Sequence, residues 1–201
     1  MEILMNVKEC IEKRFSCRKY ADIPIPIEII NDILSVATLA PSPKNRQPWR
    51  FLVLQGESKK KIIDNCFCAL SKNSDAADYL MKQEVETENQ TFKILKQAPV
   101  LILVFNAFSS ELVLNNYNAS FDYLNMQAIG AAIQNMLLRA TELGLGSLWV
   151  ADILRAEKLI LEQFPNQGRL AAGVALGVCD GNDINTPKRI PASKLITYMG
   201  G

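Results

Sequence analysis

The 201-residue sequence predicts one domain that combines α-helices with β-strands. Hydrophobic residues make up 49% of the chain and charged residues 21%, the balance of a globular protein with an ordinary core. Four short apolar runs are typical of strands, and four segments carry apolar residues at helical spacing. No linker, repeat or low-complexity segment divides the chain, so we expect residues 1–201 to form a single domain.

Two amphipathic helices are predicted near the N-terminus. The first covers Asn6 to Lys13 and places Val7, Cys10 and Ile11 on one face. The second begins after Pro26, a residue that suits the start of a helix, and has its apolar residues at helical spacing. These residues are Ile27, Ile30, Ile33, Leu34, Val36 and Ala37.

Four apolar runs predict strands, and a long helix separates the second strand from the third. The runs are Phe51–Leu54, Gln97–Phe105, Leu148–Ala151 and Leu170–Val178. The long helix, from about Tyr117 to Leu143, is apolar or small on most sides, which is typical of a central helix or a dimer interface. A shorter helix is predicted over Ala156 to Gln163, and the tail from Asp180 is expected to be extended. The polar, helix-prone residues Ser71–Lys96 suit a lid or a solvated excursion.

Composition and charge exclude several classes of protein. Lys and Arg total 22 against 21 Asp and Glu, a net charge of +1 that argues against a nucleic-acid-binding protein. No apolar run is long enough to span a bilayer. The N-terminus lacks the apolar segment and cleavage site of a signal peptide. We therefore expect a cytoplasmic protein that does not contact membranes.

The absence of histidine restricts the chemistry further. It excludes Ser-His-Asp and Cys-His hydrolases and argues against a zinc enzyme, so we expect no metal site. Cys66 and Cys68 lack the spacing of a redox or zinc motif and are interpreted as small hydrophobic residues of a helix face. The odd number of cysteines, five, argues against a secreted disulfide framework. In an enzyme of this composition a cofactor would carry the reaction.

The loop Ala40–Phe51 is dense in hydrogen-bonding side chains. Pro41, Pro43 and Pro48 stiffen it, and a stiff polar loop suits a planar polar ligand. A simple connection between a helix and a strand uses the same residue types, so the loop alone leaves both interpretations open.

Two basic clusters could bind an anion. Arg14, Ser16 and Arg18 follow the first helix and suit a phosphate, although a basic helix end has the same composition. Lys188 and Arg189 form a basic pair in the tail, where a solvated charged segment is the alternative.

Three motifs taken together resemble the nitroreductase family, in the order in which that family carries them. They are Arg14-x-Ser16-x-Arg18-x-Tyr20, Pro41-Ser42-x-x-Asn45-x-Gln47-Pro48-Trp49 and Gly144-Leu145-Gly146-Ser147-x-Trp149-Val150. The resemblance covers nearly the whole chain. It implies an α+β fold in which helices wrap a central, mainly antiparallel sheet. It also implies an intertwined homodimer with two FMN molecules at the interface, each contacted by both subunits.

The resemblance assigns FMN-binding roles to the basic clusters. Arg14, Ser16 and Arg18 would bind the phosphate, the ribityl chain and the pyrimidine edge of the flavin. Lys188 and Arg189 would complete the phosphate site, and the resemblance does not decide which of the two contacts the phosphate. A phosphate carrying about two negative charges needs several fixed cations, which these clusters supply.

The remaining implied FMN-binding residues come from the loop and from the third strand. The loop would reach the flavin of the partner subunit, and its implied residues are Pro41, Ser42, Asn45 and Gln47. The strand end would lie along the isoalloxazine, and its residues are Trp149, Val150, Ala151 and Asp152. A backbone N–H of Ala151 or Asp152 would lie near N5. Many relatives have a small residue in place of Asp152, and a carboxylate there could alter the potential of the flavin or the approach of the substrate.

The implied function is that of an FMN-dependent oxidoreductase. By a ping-pong cycle it would move a hydride from NAD(P)H through N5 of the flavin to a nitroaromatic, a quinone or a similar acceptor. No side chain would act as a dedicated catalytic acid or base. A dehalogenase or flavin-fragmenting enzyme on the same fold, and a flavin-binding redox sensor with little turnover, remain alternatives.

Overall fold

A four-stranded antiparallel sheet lies at the centre of the described part of the chain. The computed structural model describes residues 5–72, 90–109, 116–181 and 187–200. The strands are β1 (Trp49–Gln55), β2 (Val100–Asn106), β3 (Gly146–Val150) and β4 (Arg169–Gly177). They lie in the order β1-β2-β4-β3, and each pairing is antiparallel. Each predicted strand is confirmed, although the second begins at Val100 rather than Gln97 because residues 90–97 are helical.

Helices cover both faces of this sheet, which confirms the α+β class. They are α1 (Val7–Lys13), α2 (Ile27–Ala37), α3 (Gly56–Lys72), α4 (helical residues 90–97), α5 (Asn116–Glu142) and α6 (Glu157–Gln163). The long predicted helix is confirmed almost residue for residue. The predicted lid falls largely on residues 73–89, which lie outside the described residues. Phe92 and Leu95 of α4 are buried, so this end of the predicted excursion belongs to the core.

The two faces of β2 separate two hydrophobic core layers. Side chains alternate along a strand, and Ile102 packs with α2 and α5 while Leu103 packs with α3, α4 and α6. Every residue of β2 is buried, as a central strand requires. Arg139 of α5 also holds α2 in place, because its guanidinium bonds the Asp32 carboxylate at 2.7 and 2.6 Å.

The predicted apolar face of α1 is only partly buried. The helix begins at an Asn6–Glu9 capping box and packs against α5. Cys10 is buried, whereas Val7 and Ile11 are 71% and 54% exposed. The predicted helix is confirmed, and within one chain α5 covers only the Cys10 part of its apolar face.

The cysteines also differ from their predicted roles. Cys66 is buried in α3 as predicted, but Cys68 is exposed. Residues two apart on a helix point about 200° apart, so the two thiols cannot share one face. Cys17 and Cys179, 162 residues apart, form a disulfide with their Cα atoms 6.2 Å apart, a pairing that the spacing of the cysteines did not predict.

Residues 14–21 run beside β3 and the end of β4. Ser16 forms a parallel bridge with Ser147, and Tyr20 an antiparallel bridge with Cys179. Gly146 stands between the two elements, and a Cβ atom there would lie 2.7 Å from the Cys17 Cβ. Gly146 is therefore the first residue of β3, at a position where the close approach of Cys17 requires glycine. Of the two glycines, only Gly144, which has a φ of +73°, terminates α5.

Lys59 of α3 is a buried cation at the end of α4. Its Nζ donates to the carbonyl oxygens of Leu95 at 3.0 Å and of Lys96 at 2.9 Å, and also to that of Ala98. Because the last carbonyl groups of a helix have no partner within the helix, the lysine caps α4.

We expect Lys59→Met to lower the free energy of unfolding by about 2–4 kcal/mol, since buried carbonyl groups lose their donor. Urea denaturation followed by circular dichroism measures the change. Lys61→Met, at an exposed position on the same helix, is the matched control and should change stability by less than about 0.5 kcal/mol. Equal effects in the two variants would contradict the capping role.

Thiol labelling should report the cysteine environments directly. We expect iodoacetamide to modify Cys68 alone in the native, unreduced protein, because Cys10 and Cys66 are buried and burial raises the pKa of Cys66 to about 11. Denaturation should add Cys10 and Cys66, and only subsequent reduction should add Cys17 and Cys179. Peptide mass spectrometry identifies each site. Labelling of Cys17 in denatured but unreduced protein would contradict the disulfide.

Candidate functional site

A cavity of about 790 Å³ opens between the end of α1, the side of α5, β3 and the C-terminal tail. Five of the predicted site residues line it: Arg14, Ser16, Arg18, Trp149 and Arg189. The structure thus brings together residues from three separate parts of the sequence. The volume of the cavity lies in the range of small-molecule sites, about 300–1,000 Å³.

The backbone holds the basic residues of the cavity in place. Arg14 is the C-terminal cap of α1, and its extended backbone directs the chain away from the helix. Ser16 then pairs with Ser147 of β3. The Arg18 Nη1 donates to the Ser16 carbonyl oxygen at 3.1 Å, which folds the guanidinium back along its own segment.

The cavity carries positive charge that no described carboxylate pairs. Burial and, to a smaller extent, the positive charge of Arg189 lower the pKa of Arg14. Among the described residues, neither Arg14 nor Arg189 forms an ion pair. Two guanidinium groups that line one cavity and form no ion pair with a described residue are suited to an anion with several oxygens, such as a phosphate.

An unpartnered hydroxyl lies beside these residues. Ser147 is 1% exposed, and its Oγ has no hydrogen-bond partner in the described structure. Since alternate side chains of a strand share a face, Ser147 lies on the side of β3 that carries Trp149. A buried polar atom without a partner is costly, and a polar ligand in the neighbouring cavity is one way to satisfy it.

Sequence reasoning missed several lining residues. Gln134 and Leu137 of α5 form one wall, and Ile11, Glu12 and Pro187 also contribute. Gln134 could have been found from the sequence, because its polar amide stands in a helix that is otherwise interpreted as part of the core. Its spacing of three residues from Leu137 puts the two on one helix face.

The predicted strand-end residues divide between the cavity and the core. Trp149 is 44% exposed and lines the cavity, whereas Val150 is buried on the other face of the sheet. Asp152 accepts a hydrogen bond from the Thr91 hydroxyl at 2.5 Å, so its carboxylate is held by α4. Ala151 is exposed at the end of β3.

Of the basic pair in the tail, Arg189 lines the cavity and Lys188 does not. Residues 187–200 are exposed throughout and contain a single short turn, Ala192–Lys194. Exposed apolar side chains are frequent in this segment, with Leu195 68% and Tyr198 87% accessible.

The loop between α2 and β1 lies apart from the cavity of the same chain. Pro41, Ser42, Asn45 and Gln47 do not line it. The Ser42 hydroxyl accepts a hydrogen bond from the Gln47 N–H at 2.9 Å, and the buried Trp49 anchors the end of the loop. The assignment of this loop to the site of a partner subunit stays a prediction.

The described ranges contain neither a metal-binding cluster nor a membrane-spanning helix. No cluster of three or more Cys, Asp or Glu side chains there has the arrangement of a metal site. No helix within those ranges combines the length and the apolar character needed to cross a bilayer.

A sequence model described as the Nitroreductase family matches residues 11–178. A Bacillus subtilis protein provisionally named as the NAD(P)H nitroreductase YfhC is 31% identical over 96% of this chain and 94% of its own. An iodotyrosine deiodinase of Thermotoga neapolitana is 29% identical over 84% of this chain and 86% of its own. The matched span includes every cavity residue except those of the tail.

A crystal structure of a similar protein has the same fold as this chain. It is that of a protein of Desulfovibrio desulfuricans, provisionally described as a nitroreductase and solved in complex with FMN. The two chains are 27% identical, the alignment covers 98% of each, and the TM-score is 0.73.

Proposed function

Because the chain belongs to the nitroreductase family, we propose that it is an FMN-dependent oxidoreductase that carries electrons from NAD(P)H to an oxidised organic acceptor. The observation that carries the proposal is the cavity in which Arg14 and Arg189 stand close together without a carboxylate partner in the described structure. FMN offers this cavity a phosphate at one end and a planar ring system at the other. The residues present fit such a molecule.

The basic end of the cavity would hold the phosphate. Arg14 and Arg189 supply two guanidinium groups, each able to donate a pair of parallel hydrogen bonds to phosphate oxygens. Ser16 and Arg18 extend the donor set toward the ribityl chain and the pyrimidine edge. A cation near that edge stabilises negative charge on a reduced flavin. Lys188 would stay outside the site, since only its neighbour lines the cavity.

The β3 end of the cavity would hold the ring system. Trp149 offers an exposed aromatic surface there, and the backbone of Val150, Ala151 and Asp152 continues along the same edge. Bound FMN supplies hydride transfer, so no side chain needs to act as an acid or base. Thr91 holds the Asp152 carboxylate in one position, where its negative charge would act on the potential of the flavin.

The overall reaction balances without a further reactant. For a nitro group, NAD(P)H, one proton and R–NO₂ give NAD(P)⁺, R–NO and water. For a quinone, NAD(P)H and one proton give NAD(P)⁺ and the hydroquinone. The proton comes from solvent, which is consistent with a cavity that opens to the surface.

A homodimer is part of the proposal. Val7 and Ile11 of α1, Leu39 and the tail expose large apolar side chains. A second copy would cover such a surface, and the loop with Pro41, Ser42, Asn45 and Gln47 would then complete the cavity of its neighbour. Light scattering of the FMN-loaded protein should give twice the chain mass of 22.4 kDa.

We expect Arg14→Ala and Arg189→Ala each to raise the dissociation constant for FMN by about 10- to 100-fold, because each removes charge-assisted hydrogen bonds to the phosphate. Recovery of FMN fluorescence on dilution measures the constant. Lys188→Ala is the matched control, adjacent in sequence and outside the cavity, and should bind FMN as the unchanged protein does. Equal loss in all three variants would contradict the assignment.

Turnover distinguishes the proposed function from its alternatives. The FMN-loaded protein should oxidise NADH or NADPH in the presence of nitrobenzene or menadione, as measured by absorbance at the nicotinamide band under anaerobic conditions. Reoxidation by iodotyrosine but by neither of these acceptors would indicate a dehalogenase. A yellow protein without turnover would indicate a redox sensor, and a protein that binds no FMN would overturn the proposal.

A further inference from the structure

The loop between α2 and β1 carries a cluster of cations and aromatic rings that the FMN site does not use. The Arg46 guanidinium lies 4.6 Å from the ring centre of Phe108 and 5.0 Å from that of Phe121. The Lys44 Nζ lies 5.6 Å from the Phe121 ring centre. These four residues form what we call the loop cation cluster.

The backbone fixes this cluster in an unusual conformation. Lys44, Asn45 and Gln47 have φ values of 52°, 52° and 48°, and none of them is a glycine. Left-handed backbone at three of four consecutive positions is unfavourable and persists only where the surroundings enforce it. Here the Ser42 hydroxyl binds the Gln47 N–H, and Trp49 is buried at the end of the loop.

The cluster is accessible and its charge is unbalanced. Lys44 is exposed and Phe108 is 50% exposed, whereas Arg46 is half-buried between the rings. Within the described residues, neither cation forms an ion pair with a carboxylate. Asp122, next to Phe121 in the chain, instead accepts a hydrogen bond from the Asn106 amide at 2.8 Å.

We propose that the loop cation cluster binds the anionic substituent of an aromatic electron acceptor, such as a carboxylate or a sulfonate. Lys44 would pair with the charge, Arg46 would support it from between the rings, and the exposed Phe108 face would pack against the aromatic ring. This inference rests on the proposed function, in which the same loop borders the flavin of the partner subunit. The ligand class follows from the combination of two unpaired cations with an exposed aromatic surface.

Equilibrium binding tests the cluster without turnover. Benzoate, with benzyl alcohol as its uncharged analogue, is titrated into the FMN-loaded protein by calorimetry. We expect benzoate to bind at least tenfold more tightly than benzyl alcohol and Lys44→Glu to remove that preference. Lys158→Glu, an equal charge change at an exposed position on α6, should retain it. No preference for benzoate in the unchanged protein, or its survival in Lys44→Glu, would overturn the inference.

Kinetics then connect the cluster with the acceptor. We expect Lys44→Glu to raise KM for 4-nitrobenzoate about tenfold or more while KM for its methyl ester and for NADPH stays the same. A rise in KM for NADPH instead would place a nucleotide phosphate at Lys44 and overturn the inference. Arg46→Gln should act in the same direction, and circular dichroism shows that each variant is folded.

The two proposals fail in different ways. Benzoate binding that depends on Lys44, in a protein that reduces neither the ester nor menadione, would support the cluster and contradict the oxidoreductase. Reduction of both nitro compounds with KM values that Lys44→Glu leaves unchanged would support the oxidoreductase and contradict the cluster.

Discussion

Backbone pairing of residues 16–21 with β3 and with the residues after β4 fixes the position of the candidate site. Cys17 donates its N–H to Ser147 at 3.0 Å, Ala21 donates to Val178 at 2.9 Å, and Asp180 donates to Lys19 at 3.1 Å. β3 is an edge strand, and this segment covers part of its free edge. The same contacts therefore protect the sheet and carry Arg14 and Arg18 to the cavity, so folding and assembly of the site cannot be separated.

The cavity shows a conflict between stability and binding. The positive charge of Arg189 disfavours that of Arg14, and Glu12, the carboxylate in the cavity lining, pairs with Lys8 rather than with either guanidinium. A ligand with negative charge relieves the repulsion, so the binding free energy includes the release of an unfavourable interaction present without it. The loop cation cluster repeats this arrangement on another surface, with aromatic rings in the place of a counter-ion.

Strong local patterns account for what the sequence could predict. β2 is a continuous apolar run and α5 a long helix of small and apolar residues, and both were located to within a few residues. Arg14, Ser16 and Arg18, which belong to one short motif, also line one cavity. In both cases neighbours in the sequence are neighbours in the structure.

The features that the sequence did not predict depend on contacts between residues that are far apart in the chain. Lys59 belongs to a basic run that resembles a solvated helix face, and only the fold shows that its ammonium caps α4. Thr91 and Asp152 are 61 residues apart, and Cys17 and Cys179 are 162 apart. No local pattern indicates such pairs. The loop at Asn45 was recognised from its motif, but its left-handed backbone follows from the hydrogen bond and packing that enclose it.

The different environments of the two tryptophans make the protein its own optical probe. Trp49 is 8% exposed in the core, whereas Trp149 is 44% exposed, with its ring near Gly130 of α5 at the wall of the cavity. A molecule that enters the cavity displaces water from Trp149, whereas the indole of Trp49 stays enclosed in the core. A change in the emission of the exposed indole therefore reports occupancy of the cavity without any label.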